Sequence, residues 1–263
     1  MVCFRIPVVL FVCLASNAIS SYAIGVTPQI SDDGQSAQVA PLSNIASEAT
    51  LQLSSAAIGL QKGAATTTQV TASGTVIYNW AGKEVPGNIS VLWNSSTGLQ
   101  VTSETALGTR TQTADWKTET VTDERKRVTT FGSHTAARSQ LKYFPTVELA
   151  SILVAPAKEL GTSVTTVLNG AEVDVVHVAG LWPAISVKPV DREVTLYLDH
   201  KTHLIVQRTD SIETTPGSPG RLARSMQYSD YRKVNGVFYP FAISESLGGQ
   251  HIYSITFTSI SAN

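Results

Sequence analysis

The stretch Tyr228-Ser229-Asp230-Tyr231-Arg232-Lys233-Val234-Asn235-Gly236-Val237-Phe238-Tyr239-Pro240-Phe241 carries two β-forming runs joined by Asn-Gly. Asn-Gly supplies the pair of left-handed backbone conformations that a tight hairpin needs, so the stretch reads as strand, turn, strand. The same grammar extends outward on both sides. Upstream, residues 193–199 and 203–212 flank a turn at His200-Lys201-Thr202, and a Pro/Gly loop at 215–220 leads into residues 222–234. Downstream, residues 237–246 meet the turn Gly248-Gly249, and residues 251–260 finish the chain. The implied structure is an antiparallel meander, nearly unbroken from Glu193 to the end.

Earlier segments continue the two-residue period. Val76, Tyr78 and Trp80 alternate with Thr75, Ile77 and Asn79, then Ile89, Val91 and Trp93 with Ser90, Leu92 and Asn94. Threonines crowd residues 100–113 and 118–130, as on strands with one wet face. Asn169-Gly170 marks another hairpin. Two segments break the pattern. In residues 43–60, Ala46, Ala49, Leu53, Ala56, Ala57 and Leu60 recur at steps of three and four, which predicts a helix capped by Ser43 or Asn44 and ended by Gly59 or Gly63. Residues 136–160 predict a second helix, with Leu149, Ile152 and Leu153 on one face, Pro145 in a tolerated position and Pro156 as its end or kink. Helices inserted in a sheet sequence must lie on the sheet to bury their stripes. The fold class is β-rich α+β, a single domain over residues 43–263.

Composition narrows the class. With 43% hydrophobic and 15% charged residues, the chain has enough apolar side chains for a core, which argues against disorder. Its 19 basic residues against 20 acidic ones leave no polybasic footprint, so nucleic acid is not an expected partner. The first residues fit an export signal: Arg5, an apolar run from Ile6 to Ala15, and small residues around Ser21-Tyr22-Ala23. Cleavage after Ala23 leaves 240 of the 263 residues, with residues 24–42 as a flexible leader. Both cysteines, Cys3 and Cys13, fall in the removed segment, so the exported chain has no disulfide and no thiol chemistry.

The residue types that carry catalysis are present but poorly arranged. His200 and His203 beside Asp199 suggest a metal site, yet a hairpin turn explains all three. Ser133-His134 would alternate across a strand, the wrong geometry for a nucleophile and its base. Asp123-Glu124 next to Arg125-Lys126-Arg127 fits a solvated turn. Arg221, Arg224, Arg232 and Lys233 are expected on a charged outer face. No cofactor, metal or catalytic residue is expected, and the protein reads as non-enzymatic.

Leu196-Tyr197-Leu198-Asp199 with Thr202-His203-Leu204, the stretch quoted first, residues 74–80 and the helical Phe144-Pro145 segment together resemble exported bacterial proteins of the outer-membrane lipoprotein-sorting (LolA/LolB-like) group. That resemblance implies an unclosed half-barrel, a large curved antiparallel sheet with helices covering its concave face as a lid over an apolar cavity. It implies a periplasmic or secreted carrier for the acyl chains of a lipid or lipoprotein. The helix bearing Leu149, Ile152 and Leu153 is then the lid, and those three with Leu196, Leu198, Val206, Ile255 and Phe257 line core or cavity. The carrier's lid is tied by a strand arginine, for which Arg110 is the candidate here. The chain departs from the carrier in its greater length and threonine content. The competing expectation is a cell-envelope structural or interaction protein with the same fold, a filled core and no ligand. A monomer is expected, with cell-envelope proteins as further partners.

Overall fold

The computed structural model describes residues 42–60, 67–155, 157–184 and 187–263. The export signal, the leader up to residue 41, Gly63 and Pro156 lie outside them. In chain order, α1 (Leu42–Ile58) precedes three successive hairpins: β1 (Gln69–Trp80) with β2 (Lys83–Asn94), β3 (Gly98–Thr105) with β4 (Gly108–Ala114), and β5 (Glu119–Thr122) with β6 (Val128–Phe131). Two helices follow, α2 (Ser133–Ser139) and α3 (Pro145–Val154). The chain then returns to strands: β7 (Ala157–Leu160), β8 (Val164–Leu168), β9 (Ala171–Ala184), β10 (Val187–Asp199), β11 (Ile205–Glu213), β12 (Arg221–Val234), β13 (Val237–Leu247) and β14 (Gln250–Ala262).

All fourteen strands join one antiparallel sheet in the order β6-β5-β4-β3-β2-β1-β14-β13-β12-β11-β10-β9-β7, with β8 also on β9. The sheet does not close, since β6 and β7 end the path. It does curl. The seven-residue helix α2 touches β4, β5 and β6 on one arm and β10 and β11 on the other. A helix of that length spans about 10 Å. The seven strand spacings from β4 to β11 would cover about 34 Å if flat. Only a half-barrel brings both arms within reach.

The two-residue period sorts the faces. Val194, Leu196 and Leu198, Met226 and Tyr228, Ile243, Ile255 and Phe257, and Val76, Val91 and Trp93 belong to one buried cluster with Leu51 and Ile58 of α1 and Leu149 and Ile152 of α3. The Asn-Gly turns form as expected, with positive φ at Asn169, Gly170, Asn235 and Gly236.

Three expectations need correction. The helix expected over residues 136–160 is two helices and a strand. Pro145 opens α3 at its first turn and forces Phe144 out of the helical region, so the first helix stops earlier. Residues 157–160 pair with β9. In α1, the buried face is Ser47, Leu51, Ser54, Ser55 and Ile58, while Leu53 is 51% exposed and Ala46, Ala49 and Ala56 face solvent. Leu51 and Ile58 lie two turns apart, and the serines between them permit close approach. Ser133-His134 sits at the start of α2 rather than on a strand.

The end of α1 offers a direct check. Gly59 has φ +92, and a Cβ there would lie 2.5 Å from the carbonyl oxygen of Gly236. Its amide bonds Ala56 O, and the amide of Leu60 bonds Ser55 O, closing the helix. Gly59→Ala is expected to cost about 1–3 kcal/mol in urea denaturation. Gly82→Ala, with φ +75 but open space around it, should cost less.

Candidate binding site under a helical strap

Residues 133–155 form a strap across the covered face of the sheet, and side chains of β11 to β14 fasten it. On β11, Arg208 donates from Nε to Glu148 Oε2 of α3 at 2.6 Å and from Nη2 to the Arg138 carbonyl of α2 at 3.3 Å. On β12, Arg224 reaches the same carbonyl at 2.9 Å and the Ser139 hydroxyl at 3.4 Å. Asp210 joins the two arginines, accepting from Arg224 Nε at 2.8 Å and lying 2.9 Å from Arg208 Nη1. Both arginine side chains are almost fully buried.

A second group fastens the turn between the helices. Lys142 donates to Glu245 Oε2 of β13 at 2.9 Å, and Tyr253 of β14 donates to the same oxygen at 2.5 Å. Tyr228 donates to the Lys142 carbonyl at 2.8 Å. Tyr143 stacks on Tyr253 with ring centres 6.5 Å apart, and Thr146 donates to the Phe238 carbonyl at 2.7 Å. The strap therefore has a polar half over β11–β14, and an apolar half where Leu149 and Ile152 enter the core.

Burial alone would raise the Asp210 carboxyl, but the guanidiniums of Arg208 and Arg224 outweigh it and hold the group at about 2. Burial likewise works against Glu245, and the nearby Lys142 and Arg224 bring its pKa below the ordinary value. A depressed carboxylate stabilises the fold above its unfolded pKa, and the contribution is lost as pH falls through the folded value. For Asp210, a shift from 3.8 to about 2 corresponds to about 2 kcal/mol. Urea midpoints are expected to fall steadily from pH 5 to pH 2, and Asp210→Asn should flatten that slope. His200 acts in the opposite sense. Its bond to Asp174 raises its pKa, so that contact is strongest at low pH and weakens as pH rises through the raised value.

The expected lining residues divide unevenly. Leu149 and Ile152 of the strap and Leu196, Leu198, Ile255 and Phe257 of the sheet are all fully buried in one cluster, and Leu153 is partly buried against it. Val206 departs from the expectation. Leu198 pairs with Ile205 and Tyr197 with Gln207, so Val206 is the extra residue of a β-bulge. Ile205 takes its place in the core, and Val206 is only half-buried.

Arg224 is also corrected, from outer face to 1% exposure, whereas Arg221, Arg232 and Lys233 do face solvent. Arg110 lies on β4 within 3.9 Å of Glu124, while Arg208 and Arg224 hold the strap. The signal for the buried charges was present in the strand pattern. Arg224 has the parity of Met226 and Tyr228, and Glu245 that of Phe241 and Ile243.

Asp199, His200 and His203 belong to the β10–β11 turn. Asp199 Oδ1 accepts from the amides of Lys201 and Thr202 and so shapes the β10–β11 turn. His203 has φ +56 within that turn, and His200 bonds Asp174 at 3.0 Å. Among the described residues, no three or more His, Cys, Asp or Glu side chains gather as a metal site. A groove of about 430 Å³ lies on the opposite, uncovered face, lined among others by Thr71, Ser73, Ser90, Gln100, Thr102 and Ser259. None of the expected lining residues borders it.

No family model and no curated protein matches the chain. Among solved structures it is similar to a DUF1329 family protein from Desulfovibrio piger, at 8% identity and a TM-score of 0.48 over 83% of this chain and 93% of that one. It is similar to a LolA superfamily protein from Nitrosomonas europaea, at 10% identity and a TM-score of 0.48 over 83% and 94%. A putative outer membrane lipoprotein-sorting protein domain from Vibrio parahaemolyticus gives 10% identity and a TM-score of 0.46 over 82% and 93%.

Proposed function

We propose that the protein is an exported, non-enzymatic binding protein of the cell envelope, periplasmic or secreted, that carries the acyl chain of a lipid or lipoprotein under its strap. The observation that carries this reading is the construction of the strap. Residues 133–155 cover the apolar interior, and their named ties to the sheet run through side chains: Arg208, Arg224, Tyr228, Glu245 and Thr146. Such ties exchange for water when the strap lifts, so lifting leaves no charge stranded in a dry interior. The apolar stripe of α3 would then part from Leu196, Leu198, Ile255 and Phe257. Burying an acyl chain of sixteen carbons gives about 12 kcal/mol of gross stabilisation, enough to offset several broken ties.

One observation favours a second reading. The covered face is packed, with Leu149, Ile152, Leu196 and Leu198 at 0% exposure. A protein whose core stays filled would act as a cell-envelope structural or interaction partner without a ligand. Native mass spectrometry of the protein purified from its own envelope fraction, followed by organic extraction, separates the two. The carrier reading expects copurified acyl-bearing mass. A clean apo mass, with no binding of a fluorescent fatty-acyl probe, would leave the filled-core reading.

A further inference from the structure

The two ends of the half-barrel are built from different turns. Strand direction alternates across the sheet, so the β2–β3, β4–β5 and β10–β11 turns share one end. The β1–β2, β3–β4, β5–β6 and β13–β14 turns share the other. At the first end a side-chain oxygen closes each turn. Asn94 Oδ1 accepts from the amides of Ser96 and Thr97, Asp115 Oδ1 from those of Lys117 and Thr118, and Asp199 Oδ1 from those of Lys201 and Thr202. Such turns are polar by construction. Trp116, the aromatic among them, is folded inward and buried.

The opposite end exposes apolar side chains where the chain turns. Trp80 closes β1 at 45% exposure, Leu107 occupies the β3–β4 tip at 53%, and Val128 opens β6 at 64%. Cations accompany them. Lys83 lies directly opposite Trp80 in the first hairpin, so both side chains leave the same side of the sheet. In the β5–β6 turn Arg125, Lys126 and Arg127 are exposed, while the acids of that turn are drawn in. Asp123 Oδ1 accepts from the amides of Arg125 and Arg127, and Glu124 is almost fully buried near Arg110. Glu84 and Glu104 are exposed, but they have the parity of Ser90 and Thr102 and so face away from the lip that bears Trp80 and Lys83.

Exposed apolar groups flanked by cations mark a surface that meets either a protein or a membrane. Here the arrangement favours the membrane. A protein partner is recognised by one continuous, shaped patch, whereas these side chains stand on separate tips along a rim, which suits a deformable surface. Tryptophan settles at the headgroup level of a bilayer, and exposed Lys and Arg are drawn to anionic lipid. We propose that this end of the half-barrel docks on an anionic lipid bilayer, with Trp80 and Leu107 entering the headgroup boundary and Lys83, Arg125 and Lys126 meeting lipid phosphates. The whole chain carries a formal charge of -1, so the attraction is local and sets the orientation, tips first. The proposal stands apart from the ligand reading, because none of these tip residues fastens the strap.

Co-sedimentation of the chain lacking residues 1–23 with vesicles tests this, using phosphatidylcholine alone and an equal mixture of phosphatidylcholine and phosphatidylglycerol. Binding to the mixed vesicles is expected, much weaker on the neutral ones and falling as salt is raised. R125Q/K126N should weaken it about tenfold or more. Asparagine at 126 tolerates the φ of +63 found there. W80A/L107A should weaken it comparably while leaving the salt dependence in place. K117Q/K201Q removes the same charge from exposed turns at the opposite end and should bind like wild type. All three variants alter exposed side chains, and unchanged urea midpoints will verify the fold. A wild-type chain that leaves the mixed vesicles bare would overturn the proposal and assign the apolar tips to a protein partner. So would binding indifferent to W80A/L107A, or a loss in K117Q/K201Q equal to that in R125Q/K126N, the mark of charge attraction without orientation.

Discussion

Asp210→Asn is expected to lower stability by about 3–5 kcal/mol, the cost of leaving buried charge uncompensated. The carboxylate sits between Arg208 at 2.9 Å and Arg224 at 2.6 Å. Without it, two guanidiniums remain in the interior, with Glu148 at 2.6 Å left as a carboxylate partner of Arg208. Arg224 then keeps its hydrogen bonds to two neutral acceptors, the Arg138 carbonyl and the Ser139 hydroxyl. Since the same arginines hold the strap, the loss should show first as weaker amide protection in residues 133–155. Asp230→Asn is the control, because its pair with Arg232 is about half exposed and screened by water, so the urea midpoint should stay nearly unchanged. A urea midpoint for Asp210→Asn within error of wild type would mean that water already reaches the cluster.

Phe257→Ala should cost a similar amount, about 3–5 kcal/mol. Phe257 is 1% exposed on β14 and belongs to the cluster that receives α1 and α3. Its neighbour across the strands is Gly74, where an added Cβ would lie 2.6 Å from the Phe257 Cα. Backbone packed that closely cannot shift inward to fill the space the ring leaves, so a cavity should persist. Leu53→Ala, at a side chain 51% exposed on α1, removes about as many apolar atoms as a core leucine and should cost little. Denaturant titration of the two variants side by side measures the difference.

The strand grammar made most of the fold legible. Asn169-Gly170, Asn235-Gly236 and Gly248-Gly249 placed three hairpins, and alternation through Leu196, Leu198, Ile255 and Phe257 grouped residues of one face without telling which face is covered. The failures share a cause, since each is settled by tertiary contact. The face that α1 buries depends on where Leu51 and Ile58 meet the sheet, which its alanine periodicity does not reveal. One extra residue at Val206 inverts the parity of a strand, and nothing in the local composition announces it. Among the strap's ties, residue type alone places Arg224 outward, and position says otherwise, since it shares the inward parity of Met226 and Tyr228; Arg208 and Asp210 lie opposite Met226 and Arg224 on the neighbouring strand. Their charges balance only when strands and helices come together.

The measurement that bears most directly on the carrier reading is hydrogen exchange with and without a fatty-acyl probe. The chain lacking residues 1–23 would be delipidated, titrated with a sixteen-carbon fluorescent fatty acid, and followed by peptide-resolved exchange. The expected result is saturable binding with protection lost in residues 133–155, while β1 and β2 stay unchanged. No binding, or binding that leaves protection of residues 133–155 as it was, would contradict an acyl site beneath the strap.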